Sequence, residues 1–284
     1  MTSLNIGAII QARTSSTRLP QKVLLELPYE SGVTVLQQVI RRLKTSKLIK
    51  EIIIATTTDD EDIQIVNIAE TEEVISFRGS KDNVLERYYL AAKEYDLDVI
   101  VRITSDCPCI DPDIVDLVVS KHLEKNSDYT SNTLTRTFPV GLDVEVLSFK
   151  TLKKCYENAK TDLETEHVTL YIHNNINLFK TENVAMNESD QSQIRITLDT
   201  EEDYALLCTV FDYLYKKDEF FKHKEILRLF EDKPWLKLIN KKIIAKKSFT
   251  TVDDEVKEAL TILELQELNN ARKLLQKSLK HHRP

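Results

Sequence analysis

Four short apolar runs, each ending in a polar loop and each followed by residues at helical spacing, constrain this chain more than any other feature. The runs are Ile6–Ile10, Ile52–Ala55, Val74–Phe77 and Asp98–Ile103. Between them Val33, Leu36, Val39, Ile40 and Leu43 mark an amphipathic helix ending near Lys47, and Ile63, Val66, Ile68 and Ala69 mark another over 61–70. Ser80 is placed to cap a third helix, running to about Tyr95 and burying Val84, Leu85, Tyr88 and Ala91 or Ala92. Asp111-Pro112 opens a fourth, with cap and first-turn proline in the usual order. Such alternation over the first 125 residues predicts an α/β architecture, a mostly parallel sheet covered on both faces.

The rhythm then changes. Residues 129–132 and 142–146 read as strands around a loop holding Pro139 and Gly141, and helices follow near 149–159 and 162–174. Thr161 and Glu164 form a capping box for the second of these. A late strand over Gln193–Leu198 leads to Asp199, and Thr200 caps a helix from Glu201 to about Tyr215. Beyond that the chain is helical and Lys-rich, which sets a catalytic domain over 1–217 apart from an extension over 218–284. Val256, Leu260, Leu263, Leu268, Ala271, Leu275 and Leu279 give the extension one apolar helical stripe. That stripe has no partner of its own; it packs on the main domain or on another chain, and the second option points to a homodimer.

Charge narrows the partners. Residues 1–215 carry 22 Lys and Arg against 35 Asp and Glu, whereas 216–284 carry 17 against 11. An acidic body argues against nucleic acid as a partner. No run approaches the roughly 18 apolar residues of a membrane span, and the N-terminus lacks a basic, then apolar, leader pattern, so the expected location is the cytoplasm. Cys107, Cys109, Cys155 and Cys208 lack zinc-ligand spacing and read as reduced, packed thiols.

The first strand empties into a loop with four hydroxyls (Thr14 to Thr17), Arg13, Arg18 and Lys22. Forked guanidinium donors and a mobile ammonium suit phosphate oxygens. Open α/β sheets bind ligands at the carboxyl ends of their strands, where this chain also places Thr56–Asp60, Thr104–Asp106 and Asp199. Two carboxylates, Asp106 and Asp199, beside a phosphate loop point to Mg²⁺, which takes one or two carboxylates plus phosphate oxygens. A single strand-end aspartate is ordinarily a helix cap, and Asp199 ahead of Thr200-Glu201-Glu202 suits that role as well. With only four glycines, neither a P-loop nor a dinucleotide fingerprint occurs. His167 falls on a predicted helix, where a lone histidine is ordinarily structural.

The segment Ile10-Gln11-Ala12-Arg13, with Ser16-Thr17-Arg18-Leu19-Pro20 and Lys22, resembles the opening signature of cytidylyltransferases of the spore coat polysaccharide biosynthesis protein F type, relatives of CMP-KDO and CMP-sialic acid synthetases. The likeness continues through Ala55-Thr56-Thr57, Phe77-Arg78-Gly79-Ser80, Val84 to Tyr89, and Val101-Arg102-Ile103-Thr104-Ser105-Asp106-Cys107-Pro108. Further matches are Ser131-Asn132-Thr133, Gly141-Leu142-Asp143-Val144-Glu145, Glu166-His167-Val168-Thr169 and Leu198-Asp199-Thr200. The matches span about 5–215, and the last ~40 residues lie outside any such likeness.

The resemblance implies a Rossmann-like three-layer α/β/α nucleotide-diphospho-sugar transferase fold, with CTP as co-substrate and Mg²⁺ as cofactor. It implies that Arg13 and Lys22 hold the triphosphate and act catalytically, within a nucleotide-binding set of Gln11, Ala12, Ser16, Thr17, Arg18 and Thr104. It sets Thr56, Arg78 and Ser80 beside base and ribose, and makes Asp106 and Asp199 the metal ligands. Asn132, Asp143, Glu145 and His167 would face a small acidic acceptor, either an acidic sugar, a polyol phosphate or a phosphonate. One departure stands out: Ser15 and Gln21 occupy positions where the family loop usually carries glycine. The rivals are an enzyme of the same fold using another NTP or transferring a sugar, and a non-enzymatic scaffold. A glycosyltransferase would show an Asp-x-Asp metal motif; Asp111-Pro112-Asp113 has that spacing but suits a cap better.

Overall fold

The computed structural model describes residues 4–186, 190–216, 218–243 and 252–281. The chain divides into two compact units after Ile243, well beyond the 217/218 boundary expected from composition. Segment 218–243 belongs to the first unit because its apolar side chains enter the main core: Phe221, Ile226, Phe230 and Leu236 are all buried there.

In the first unit the strands are β1 (Ile6–Gln11), β2 (Glu51–Thr57), β3 (Ile75–Gly79), β4 (Val99–Thr104), β5 (Tyr129–Ser131), β6 (Glu145–Ser148) and β7 (Thr181–Asn183). They form one sheet in the order β3-β2-β1-β4-β6-β5-β7, and β6 alone runs against its neighbours. Helices α1 (Val35–Leu43), α2 (Ile63–Thr71), α4 (Pro112–Lys125), α8 (Glu201–Leu214) and α9 (His223–Asp232) cover one face. The other face is covered by α3 (Val84–Glu94), α5 (Phe149–Asn158) and the short α6 (Asp162–Glu166) and α7 (Leu170–Asn174). Alternate residues of one strand serve the two layers: Ile52 and Ile54 enter the first core, Ile53 and Ala55 the second. This is the three-layer α/β/α arrangement with a mixed, mostly parallel sheet.

Several local expectations shift. Asn83, not Ser80, caps α3, its side chain accepting from Glu86 N at 2.8 Å, while Ser80 Oγ accepts from Asn83 N one turn earlier. The helix expected over 162–174 breaks in two at His167, whose non-helical ψ of 82° ends α6; the Thr161–Glu164 capping box forms as expected. Gln193–Leu198 is not a strand of the sheet. It runs extended along the loop before β6, with Val140 N on Ile194 O and Ile196 N on Val140 O, each 2.8 Å. Gly141 (φ +107°) makes that approach possible, since a Cβ there would stand 2.7 Å from the Ile196 backbone. The edge strand is instead β7, whose Thr-Glu-Asn sequence carries no apolar alternation to announce it.

The second unit holds α10 (Val252–Leu265) and α11 (Asn269–His281), where one continuous stripe was expected. Glu267 at φ 56° with Leu268 N on Leu263 O ends the first helix in a left-handed cap. Val252, Leu265, Leu268 and Leu274 are exposed. Among the described residues no helix is long and apolar enough to cross a membrane.

Candidate active site

The loop after β1 is fastened before it is charged. Thr14 O accepts from both Ser16 N (2.8 Å) and Gln21 N (2.9 Å), pinching the loop at its neck. Beneath it, the buried Asp62 accepts from Thr14 N at 2.8 Å, from Thr14 Oγ1 at 2.7 Å and from Thr57 Oγ1. Burial opposes the Asp62 charge, but these bonds prevail and hold its carboxyl below the usual range. Closing the loop puts Gln21 at φ 56°, the left-handed region that glycine enters without strain. Ser15 takes no positive φ.

A short 3-10 turn, Lys22–Leu24, then turns Lys22 inward. Its Nζ lies 2.7 Å from Asp106 Oδ2, 2.9 Å from Asp199 Oδ1 and 2.8 Å from Leu198 O. Asp106 stands just past β4, where Thr104 Oγ1 donates to its Oδ1 at 2.6 Å. Leu198 N donates to Asp106 O at 2.8 Å, which stitches the two aspartate segments together. Asp199 also meets Arg18 at 2.9 Å and Arg195 at 2.7 Å. Burial would raise the Asp199 carboxyl; Lys22, Arg195 and Arg18 overcome it and bring it down to about 2. Burial works against the Lys22 ammonium too, and the two aspartates hold it above its ordinary value.

Behind Asp199 lies a layer that sequence reasoning missed. The fully buried Asp203 accepts from Arg195 Nε (3.0 Å), Arg195 Nη2 (2.9 Å) and Asp199 N (3.0 Å). Asn240, from the end of the first unit, donates to Asp203 Oδ1 at 2.8 Å and to Arg195 O at 3.1 Å. The usable signal was the spacing Arg195–Asp199–Asp203, which sets two carboxylates four and eight residues after one arginine across a helix start. Arg87 was quoted only within a motif; it is buried beneath Gly79, with Nε and Nη1 unpartnered among the described residues.

The remaining expected residues fall outside the Lys22 cluster. Gln11 accepts from Arg102 Nη2 at 3.1 Å, and Ala12 is buried with its N–H on Ala55 O. Arg13 is half-exposed, 3.8 Å from Glu166; Ser16 is half-buried and Thr17 exposed. Thr56 is buried, its hydroxyl unpartnered among the described residues. Arg78 donates to Thr57 O and Asp59 O, both at 3.0 Å. Nearby, Thr58, Asp59, Asp60, Glu61 and Lys81 line a cavity of about 450 Å³.

Across β4, Asn132 is buried and bridges backbone, donating to Leu142 O (2.7 Å) and accepting from Val144 N (2.9 Å). Asp143 takes a forked pair from Arg136 at 2.5 and 2.7 Å. Glu145 is buried, paired with Arg102 and accepting from Tyr129 OH at 2.8 Å. Burial opposes the Glu145 charge, and Arg102 holds its carboxyl low nonetheless. His167 closes α6, its N–H on Leu163 O at 2.9 Å. Asp111 is a cap, accepting from Asp113 N and from both nitrogen donors of His223.

For a metal the donor set is two carboxylates and a carbonyl converging on one point, all hard oxygens. That set suits Mg²⁺, which completes its shell with phosphate oxygens and water. No group of three or more His, Cys, Asp or Glu is arranged to hold a metal without such help among the described residues.

Comparison with known proteins places the chain in a family. Residues 7–243 match the family model described as Cytidylyltransferase. An uncharacterized protein, MJ1063, of Methanocaldococcus jannaschii is 39% identical over 88% of this chain and 100% of its own length. The spore coat polysaccharide biosynthesis protein SpsF of Bacillus subtilis is 33% identical over 72% of this chain and 85% of its own. The solved structure of a cytidylyltransferase from Leptospira borgpetersenii superposes with TM-score 0.79 at 34% identity, covering 86% of this chain and 100% of that one. Fold, strand-end chemistry and these matches over most of the chain converge: the protein belongs to the cytidylyltransferase family, of the SpsF type, and is a CTP-dependent nucleotidyltransferase.

Proposed function

We propose that the protein transfers CMP from CTP to a small acidic acceptor with release of pyrophosphate, using Mg²⁺, for surface polysaccharide or glycoconjugate synthesis in the cytoplasm. The observation that carries the reading is the meeting of Lys22, Asp106 and Asp199 at one point beside the basic loop. An acceptor oxygen attacks the α-phosphorus in line as pyrophosphate leaves, so positioning and charge dominate over covalent chemistry. In this reading Lys22, Arg13 and Arg18 bind phosphate oxygens, and Asp106 and Asp199 are the metal ligands. Mg²⁺ when bound neutralises phosphate charge. An acceptor that is already an acid or phosphate anion needs no strong base. Thr56, Arg78 and Ser80 serve the nucleoside in this reading, and Asp143 and His167 the acceptor. Exposed apolar side chains on α10 and α11 form a homodimer contact in the same reading, tested by the mass in solution.

A glycosyltransferase reading loses ground because its Asp-x-Asp candidate is engaged as a helix cap by Asp113 N and His223. The test is pyrophosphate release with each NTP and Mg²⁺ over a panel of acidic sugars, polyol phosphates and phosphonates. Release with CTP and one acceptor class is expected; silence with CTP across the panel sinks the proposal.

A further inference from the structure

Lys22 Nζ stands within hydrogen-bond distance of three oxygens, Asp106 Oδ2, Asp199 Oδ1 and Leu198 O. Three acceptors use the whole donor capacity of an ammonium group. The two carboxylates are also the only pair on which a divalent cation converges in the functional reading above. A hard cation bonds carboxylate oxygen at about 2.1 Å, closer than the ammonium does, and from the same side. Ammonium and metal are therefore alternative occupants of one carboxylate pair.

Charge decides which occupant prevails. Lys22, Arg18 and Arg195 face Asp106, Asp199 and Asp203, three cations against three anions in a half-buried cluster. A divalent ion entering alone would leave that neutral cluster with two excess positive charges where solvent screens poorly. A triphosphate supplies the compensating negative charge and offers Lys22 new oxygens. Asp199 stays in place meanwhile, because Arg195, Asp203 and Asn240 hold it from behind.

We propose that Lys22 is the resident counter-ion of the Asp106–Asp199 pair, and that the divalent cation enters only together with a nucleotide whose phosphates draw Lys22 away. The nucleotide half of this inference rests on the proposed function; the counter-ion half does not.

The experiment is Mn²⁺ binding to the full chain by electron paramagnetic resonance, without nucleotide, for wild type, Lys22→Met and the double variant Lys22→Met/Asp199→Asn. Lys22→Met should bind Mn²⁺ at least ten-fold more tightly than wild type, and the double variant should lose that gain. A non-hydrolysable CTP analogue should tighten Mn²⁺ binding to wild type at least ten-fold. Equal affinity of wild type and Lys22→Met, or no binding to either, overturns the proposal. Should Lys22→Met fail to fold, wild type alone still decides: tight Mn²⁺ binding without nucleotide, lost in Asp106→Asn, overturns it. Pyrophosphate release from CTP with a Mn²⁺ affinity indifferent to the analogue overturns this inference and leaves the functional reading standing. A ten-fold gain in Lys22→Met without pyrophosphate release from CTP with any acceptor overturns the functional reading and leaves the counter-ion role standing.

Discussion

The two halves of the sheet carry similar polar residues at similar places and use them differently. Around β1 and β4, Lys22, Asp106 and Asp199 have side chains 13%, 24% and 19% exposed and bond chiefly to one another across separate segments. Around β5 and β6, Asn132 is locked between two backbone groups and Glu145 between Arg102 and Tyr129. A polar side chain whose bonds are completed by backbone groups, or by fully buried neighbours such as Tyr129, is scaffold. One whose bonds are made by opposite charges on movable side chains can exchange them for a ligand's. Asp143, held by the half-buried Arg136, is the member of the second half nearest to the exchangeable kind.

Breaking this contrast should hurt most at Lys22. Lys22→Ala is expected to lower turnover about 10³-fold with unchanged circular dichroism, since preorganised charge is the main resource of such a site; near-wild-type pyrophosphate release would refute the assignment. Asn132→Ala should do the opposite, destabilising the fold by about 2–3 kcal/mol through the unpaired Leu142 O and Val144 N, read in a denaturant melt. An unchanged midpoint would mean Asn132 is not scaffold. In the proposed metal-ligand role, Asp199→Asn should raise the Mg²⁺ concentration for half-maximal rate at least ten-fold, about the loss that even an outer-shell partner causes. An identical metal titration would reduce Asp199 to a helix-start residue.

The pH dependence follows from the Asp199 carboxyl at about 2. Its folded value lies below its unfolded value of about 3.9, so its stabilisation is full above that and disappears as pH falls through about 2. Melting temperatures of wild type and Asp199→Asn should therefore converge on acidification; a constant gap contradicts the linkage. The smallest effect is expected at Gln21→Gly. Removing a side chain from φ 56° relieves strain but loosens the unfolded chain, leaving a gain of about 0.5 kcal/mol and no loss of rate. A clear loss of rate would show that the Gln21 side chain, not its backbone, matters.

The parallel half was legible because its apolar runs, helical periods and strand-end charges all repeat one unit. Lys22 and Asp106 could be brought together from topology, since β1 and β4 end at one sheet edge; Asp199 was added through a segment read as a strand, which in fact docks on the loop before β6. What stayed hidden depended on partners distant in sequence. Gln193–Leu198 alternates as a strand would, yet it meets the loop before β6 at Gly141 instead of a sheet edge. The Arg195–Asp203–Asn240 layer resembles ordinary surface charge until the segment after 217 folds back. The domain limit moved for the same reason: Lys-rich composition masked Phe221, Ile226 and Phe230. In the second half, no pattern distinguishes a buried Glu145 answered by Arg102 from a carboxylate awaiting a ligand.

The stitch between Leu198 N and Asp106 O bears on how the protein comes into being. Contacts between distant segments form late, because a long loop must close first. During synthesis the β1 loop, β4 and Asp106 emerge well before Asp199, and Asn240 later still. A nascent chain can thus wind most of its parallel sheet before Asp106 and Asp199 meet. The Lys22 cluster is complete only once the run from Gln193 docks, so a chain cut short of it would hold the parallel strands and lack the Asp106–Asp199 pair.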